Sequence, residues 1–155
     1  MNRAGTWACP LGGAIVCLGL GIASGLSGVG GADTWYRALE KPPGTPPPWV
    51  FGPVWSVLYL LMGVAAGRLV HRREMRAAGI FAVQFALNLA WTPVFFGMHQ
   101  VAAALAVIVA LWVLLLATIV LAWKADRISA FLLMPYLAWV SYATYLNGGI
   151  FLLNR

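Results

Sequence analysis

Residues 35–59, WYRALEKPPGTPPPWVFGPVWSVLY, decide how this chain reads. The stretch opens as a polar segment with paired aromatics, Trp35 and Tyr36, whose amphipathic rings suit a membrane interface. It then crosses Pro42, Pro43, Pro46, Pro47 and Pro48. Proline fixes φ and lacks a backbone donor, so this part predicts a stiff, extended connector. From Trp49 the chain turns apolar, and Pro53 falls in the first turns of the predicted helix, where proline is tolerated. At 100° per residue, Trp55, Tyr59 and Met62 share one face of that helix. The stretch reads as the lid and first wall of a cavity inside a helical bundle.

The rest of the chain reads as membrane helix. Of 155 residues, 62% are hydrophobic and 9% are charged, against about 25% charged in a soluble domain. Mean hydropathy is +0.84. These values predict an all-α membrane protein, a bundle of five transmembrane helices forming one domain over residues 1–155. The expected spans are 7–29, 49–69, 77–97, 101–123 and 128–152, each near the 20 or so apolar residues that a crossing needs.

A net charge of +6 raises the question of nucleic acid, and the distribution answers it. With five spans, Arg3, Arg68, Arg72, Arg73, Arg76, Lys124 and Arg127 fall on the amino-terminal side. Only Arg37, Lys41 and Arg155 fall on the other. That is the positive-inside pattern. It predicts a multi-pass protein of a bacterial cell membrane with a cytoplasmic amino terminus and the lid outside, and no nucleic-acid partner. The bilayer is the expected surrounding. An outer-membrane location would remove the basis for that orientation.

Small residues predict tight helix crossings, with Gly21 and Gly25 in the first span and Gly63 and Gly67 in the second. The third span carries a polar stripe, Gln84, Asn88 and Thr92, with Trp91 and Phe95 beside it. Amides are costly in lipid, so this face must point inward, either as interhelical hydrogen bonds or as the lining of a site. Pro93 predicts a kink beside the stripe. The last span places Tyr136, Ala143 and Asn147 on one face, with Trp139 at its edge.

No phosphate-binding glycine loop, dinucleotide fingerprint or nucleophile–histidine–carboxylate set is present. The acidic residues, Asp33, Glu40, Glu74 and Asp126, all fall in predicted loops. That excludes a carboxylate proton relay at the midplane. His71 and His99 lie at span ends, and Cys9 and Cys17 lack metal-ligand spacing, so no metal site is expected. What remains is a cavity of tryptophan, tyrosine and amide, suited to a large, planar, mostly apolar ligand.

These residues resemble those of the tryptophan-rich sensory protein family, the translocator protein or peripheral benzodiazepine receptor family, in a bacterial form. The resemblance rests on Trp35-Tyr36, Leu39, Lys41-Pro42, Pro46-Pro47, Trp49-Val50, Pro53-Val54-Trp55 and Tyr59. It continues through Gln84, Asn88, Trp91, Pro93, Phe95-Phe96-Gly97, Pro135-Tyr136, Trp139, Ala143 and Leu146-Asn147. It implies a homodimer of five-helix bundles that bind porphyrins, including protoporphyrin IX and haem, for sensing, transport or disposal, with no required cofactor. It implies a ligand pocket of Trp55, Tyr59, Asn88, Trp91, Trp139, Ala143 and Leu146. The alternatives are a light-dependent porphyrin-degrading enzyme, with Trp55 and Trp139 as the reacting indoles, and a regulatory membrane subunit with no ligand. Where the family commonly has tryptophan in the lid, this chain has Gly44, which predicts a looser lid. No basic residue follows Tyr145 closely, so tight sterol binding is not expected.

Overall fold

The computed structural model describes residues 3–32 and 34–155, with side chains for 7–27 and 34–155. Five long helices form the bundle: α1 (Arg3–Ala32), α3 (Phe51–His71), α4 (Met75–Thr92), α5 (Val101–Ala125) and α6 (Arg127–Leu153). The first loop holds a short helix, α2 (Trp35–Ala38), and a single 3-10 turn, Pro48–Val50. Four segments are long and apolar enough to cross a membrane: Trp7–Ser27, Pro48–His71, Met75–Gly97 and Val101–Ala125. Helix α6 has the length, at 27 residues. Its Tyr136, Ser141, Tyr142, Thr144, Tyr145 and Asn147 make it more polar than the others. The chain is a multi-pass integral membrane protein.

The packing follows side-chain size. Helix α1 lies along α3, and α5 packs between α4 and α6. The α1–α3 crossing is a glycine contact. A Cβ on Gly63 would run into the Gly13 carbonyl and the Ala14 backbone, and one on Gly67 into Cys9 and Pro10. The small pair in α3 is therefore a site of close backbone approach, as its spacing predicts. In α1 the partners are Gly13 and its neighbours; Gly25 has open space around it. Bulky residues fill the remaining core, with Met62, Leu69, Leu111, Leu115, Leu133 and Tyr136 fully buried. Ile15, Leu26, Val57, Val113 and Phe131 point outward, as apolar side chains can where the solvent is lipid.

Pro93 acts as its sequence predicts, with one addition. Helix α4 ends there in a wide π turn, Pro93–Gly97, closed by Met98 N–H donating to the Pro93 carbonyl at 2.8 Å. Proline cannot donate to the carbonyl four residues back, which belongs to Leu89. The Ser24 hydroxyl of α1 donates to that carbonyl instead, at 2.7 Å. The distortion that opens space beside Trp91 is thereby tied to α1.

Asp126 separates α5 from α6, and the structure gives it more than a loop's role. It is 5% exposed. Arg68 of α3 grips both its oxygens, at 2.8 and 3.0 Å. Ser129 donates to it at 2.7 Å, and Arg72 stands 3.6 Å away. Arg68 is thus a clamp between α3 and the α5–α6 turn as well as a topology charge. Burial alone would raise the Asp126 carboxyl. The Arg68 and Ser129 hydrogen bonds and the two guanidinium charges outweigh it and push the carboxyl down to about 2.

Because its folded value lies below its unfolded one, the clamp contributes stability above about pH 4 and loses it as pH falls towards 2. The expected loss is about 2 kcal/mol. Thermal midpoints of the wild type and Asp126→Asn should therefore converge between pH 6 and pH 2.5. A constant gap over that range would refute the clamp.

Candidate ligand cavity

A cavity of about 360 Å³ opens between α1, α3, α4 and α6 beneath the first loop. Its walls come from elements distant in sequence. Trp55 and Tyr59 face it from α3 with their rings stacked, centroids 5.3 Å apart and planes 27° from parallel. Trp139 of α6 meets Trp55 edge to face at 6.5 Å and Phe51 at 5.9 Å. Trp91 and Phe96 close the α4 side, again edge to face, at 5.9 Å. Ala143 sits one turn beyond Trp139, and its small side chain leaves room. Gly21, Ile22 and Gly25 of α1 complete the wall.

Five of the seven residues implied by the resemblance line this space together: Trp55, Tyr59, Trp91, Trp139 and Ala143. Asn88 and Leu146 are not among the lining residues. Asn88 is buried and accepts the Tyr59 hydroxyl at 2.9 Å, so it fixes the ring that faces the cavity. Gln84 accepts from Tyr136 at 3.1 Å in the same way. Gln84 and Asn88 therefore serve as interhelical hydrogen bonding, while Thr92, the third member of the α4 stripe, lines the cavity. Leu146 is buried one turn further along α6. Trp91 also has an anchor: its indole N–H donates to Asn147 at 3.0 Å, and Asn147 donates to the Val101 carbonyl at 3.1 Å.

Sequence reasoning did not single out Gly21, Ile22, Gly25, Tyr36, Arg37, Pro48, Phe51, Gly52, Ser56, Thr92 and Phe96 as lining residues. Gly52 and Ser56 had a signal, since each is spaced by three or four residues from a predicted lining position on α3. The lid residues were legible only as a closing segment, because a loop has no fixed period to say which side chains turn inward.

Donors on the cavity wall are largely committed. Tyr59 and Trp91 have spent their hydrogens on Asn88 and Asn147, and the Ser56 hydroxyl donates to the Gly52 carbonyl at 2.9 Å. The Trp139 indole N–H is buried without a partner. A buried donor left unmade costs roughly 1–3 kcal/mol.

The lid is tied down at several points. Tyr36 is buried, contrary to the interface role its sequence predicts. Its ring meets Phe95 and Phe96 edge to face, with Lys41 Nζ over it at 4.8 Å. Trp35 stacks on His99 at 4.3 Å, so His99 is a seat for the lid. His71, at the opposite end of the bundle, lines a smaller space of about 210 Å³ with Trp7, Pro10, Arg68 and Arg72. Helix α6 holds the proline run: Tyr142 donates to the Gly44 carbonyl and Tyr145 to the Pro43 carbonyl at 3.1 Å. Asn154 bonds Glu40 in both directions, at 3.0 and 2.9 Å. Gly44 has φ of +88°, a conformation that strongly favours glycine. The lid that Gly44 predicted to be looser is thus held by backbone contacts to tyrosines.

Each tether is worth about 1 kcal/mol. Tyr142→Phe should therefore speed ligand escape roughly fivefold, measured as a dissociation rate by stopped flow. An unchanged rate would mean that the lid does not gate the cavity.

Comparison with known proteins agrees with this architecture. Protein CrtK of Rhodobacter capsulatus is 40% identical over 142 residues, covering 86% of this chain and 89% of its own length. The tryptophan-rich sensory protein of Cereibacter sphaeroides is 42% identical over 123 residues, 79% and 78% of the two chains. The human translocator protein is 39% identical over 120 residues, 73% and 70%. Residues 13–153 match the TspO/MBR family, and with the aromatic cavity, the α4 stripe and the proline lid all present, the chain belongs to that family.

Proposed function

We propose that this protein binds planar lipophilic ligands, porphyrins such as protoporphyrin IX and haem foremost, in the cavity beneath the lid, and acts in their sensing, transport or disposal. In this reading residues 1–155 form one domain with five crossings in a bacterial membrane. The amino terminus faces the cytoplasm, and two copies pair as a homodimer. The single observation that carries the reading is the cavity itself. Stacked and edge-on rings of Trp55, Tyr59, Trp91 and Trp139 surround it.

Flat aromatic walls favour a flat aromatic guest, because ring stacking adds about 0.5–1.5 kcal/mol per pair beyond burial. The names of relatives, a sensory protein and a translocator, are in keeping with a protein that detects or moves a small molecule.

The test is a titration of the purified protein with protoporphyrin IX in the dark, following tryptophan fluorescence. Wild type should quench saturably. Trp139→Phe, which loses part of the aromatic wall, should bind up to about tenfold more weakly. Quenching that rises linearly and identically in both proteins would reject the reading.

A further inference from the structure

Among the described residues that line the cavity, Arg37 is the one ionic side chain. It sits on α2, in the lid, and is exposed. The ion pairs among the described residues both go to Asp126, at the far end of the bundle. Arg37 takes part in neither. The other lid cation is differently placed. Lys41 Nζ donates to the Leu39 and Arg37 carbonyls, at 2.9 and 3.3 Å, and lies over the Tyr36 ring. Lys41 is spent on holding the lid, while the Arg37 guanidinium has no side-chain partner among the described residues.

The cavity is polarised as a result. Its interior is aromatic, and the Ser56, Tyr59 and Trp91 hydrogens there are already committed. Its mouth carries one permanently charged fork that is unpaired among the described residues. A guanidinium matches a carboxylate in shape as well as charge, and pairs with it through two parallel hydrogen bonds. At an exposed mouth the partner anion keeps part of its hydration, so the pairing avoids the desolvation cost of a buried ion pair.

We propose that Arg37 recognises an anionic group on the edge of the ligand. The cavity is then selective for planar apolar molecules that carry a carboxylate, over the same molecules with that group neutralised. This rests on the reading that the cavity holds a planar lipophilic ligand, and it adds which chemical class of such ligands is preferred and which residue sets the preference.

The experiment compares protoporphyrin IX with its dimethyl ester, which keeps the macrocycle and removes both charges. Both are titrated in the dark, in nonionic detergent without added lipid, against wild type, Arg37→Gln, Arg37→Lys and Lys41→Gln. Wild type should bind the free acid about five- to tenfold more tightly than the ester, and the preference should shrink as salt is raised. Arg37→Gln should bring the acid to the affinity of the ester and leave the ester unchanged. Arg37→Lys should keep part of the preference, and Lys41→Gln should keep all of it.

Equal affinity of the wild type for acid and ester would overturn the inference and leave the binding cavity standing. So would a preference that survives in Arg37→Gln, or one that Lys41→Gln abolishes. Saturable binding of neither compound would overturn the cavity reading, and the inference with it.

Discussion

Ala143→Phe should weaken protoporphyrin IX binding at least tenfold, about 1.4 kcal/mol, while leaving the protein as stable as the wild type or more so. Ala143 lines the cavity from α6 beside Trp139, so a benzyl group there occupies the space that a macrocycle would take. The same group meets little protein. The substitution fills a void rather than overpacking a core, and cavity filling commonly stabilises. That split between binding and stability sets this variant apart from a general packing defect. Ligand titration and a thermal melt on the same preparation would measure both. Unchanged affinity in a folded variant would sink the assignment of the cavity, and a large loss of stability would mean that the space beside Ala143 is not open.

Gly63→Leu should have the opposite signature: a loss of stability of about 3 kcal/mol, at the upper end of what overpacking costs. At this position the neighbour is backbone, namely the Gly13 carbonyl and Ala14 of α1. Backbone within a helix cannot rotate aside as a side chain can. The two helices must separate, and their contact is the most extensive between any two elements of the bundle. Separation would also reach the cavity, since α1 supplies Gly21, Ile22 and Gly25 to its wall and Gly21 lies against the face of Tyr59. Binding should therefore fall together with stability. Gly79→Ala is the control, because a Cβ there meets nothing within 4 Å. It should be neutral or slightly stabilising, as alanine is in a helix. A Gly63→Leu protein that melts with the wild type would show that the α1–α3 contact does not carry the bundle.

Much of this architecture is legible in the sequence because lipid leaves the backbone few options. Long apolar runs must be helices, and the observed elements differ from the expected spans by only a few residues at each end. Trp55, Tyr59, Trp91, Trp139 and Ala143 were legible as inward-facing because helical periodicity fixes a face. Periodicity does not fix what that face meets. Asn88 was correctly placed inside and given the wrong neighbour, because Tyr59 stands between it and the cavity.

Contacts between residues far apart in the chain were not legible. These include Ser24 with Leu89, Asp126 with Arg68 and Asn154 with Glu40. Asp126 left one local sign, a serine three residues on, whose hydroxyl reaches back to it. The lid was legible as stiff from its prolines. Its docking was not, because Tyr36 and Gly44 acquire their positions from the π turn and α6.

The most direct test of the central claim is circular dichroism in the porphyrin absorption band, recorded in the dark as protoporphyrin IX is added. A porphyrin dissolved in detergent is achiral and gives no signal. One held in a single orientation among Trp55, Tyr59 and Trp139 must acquire one. A signal that saturates at one porphyrin per chain, and that Ala143→Phe removes, is the predicted result. A flat band in the wild type, or a signal of equal size in the variant, would contradict a ligand held in this cavity.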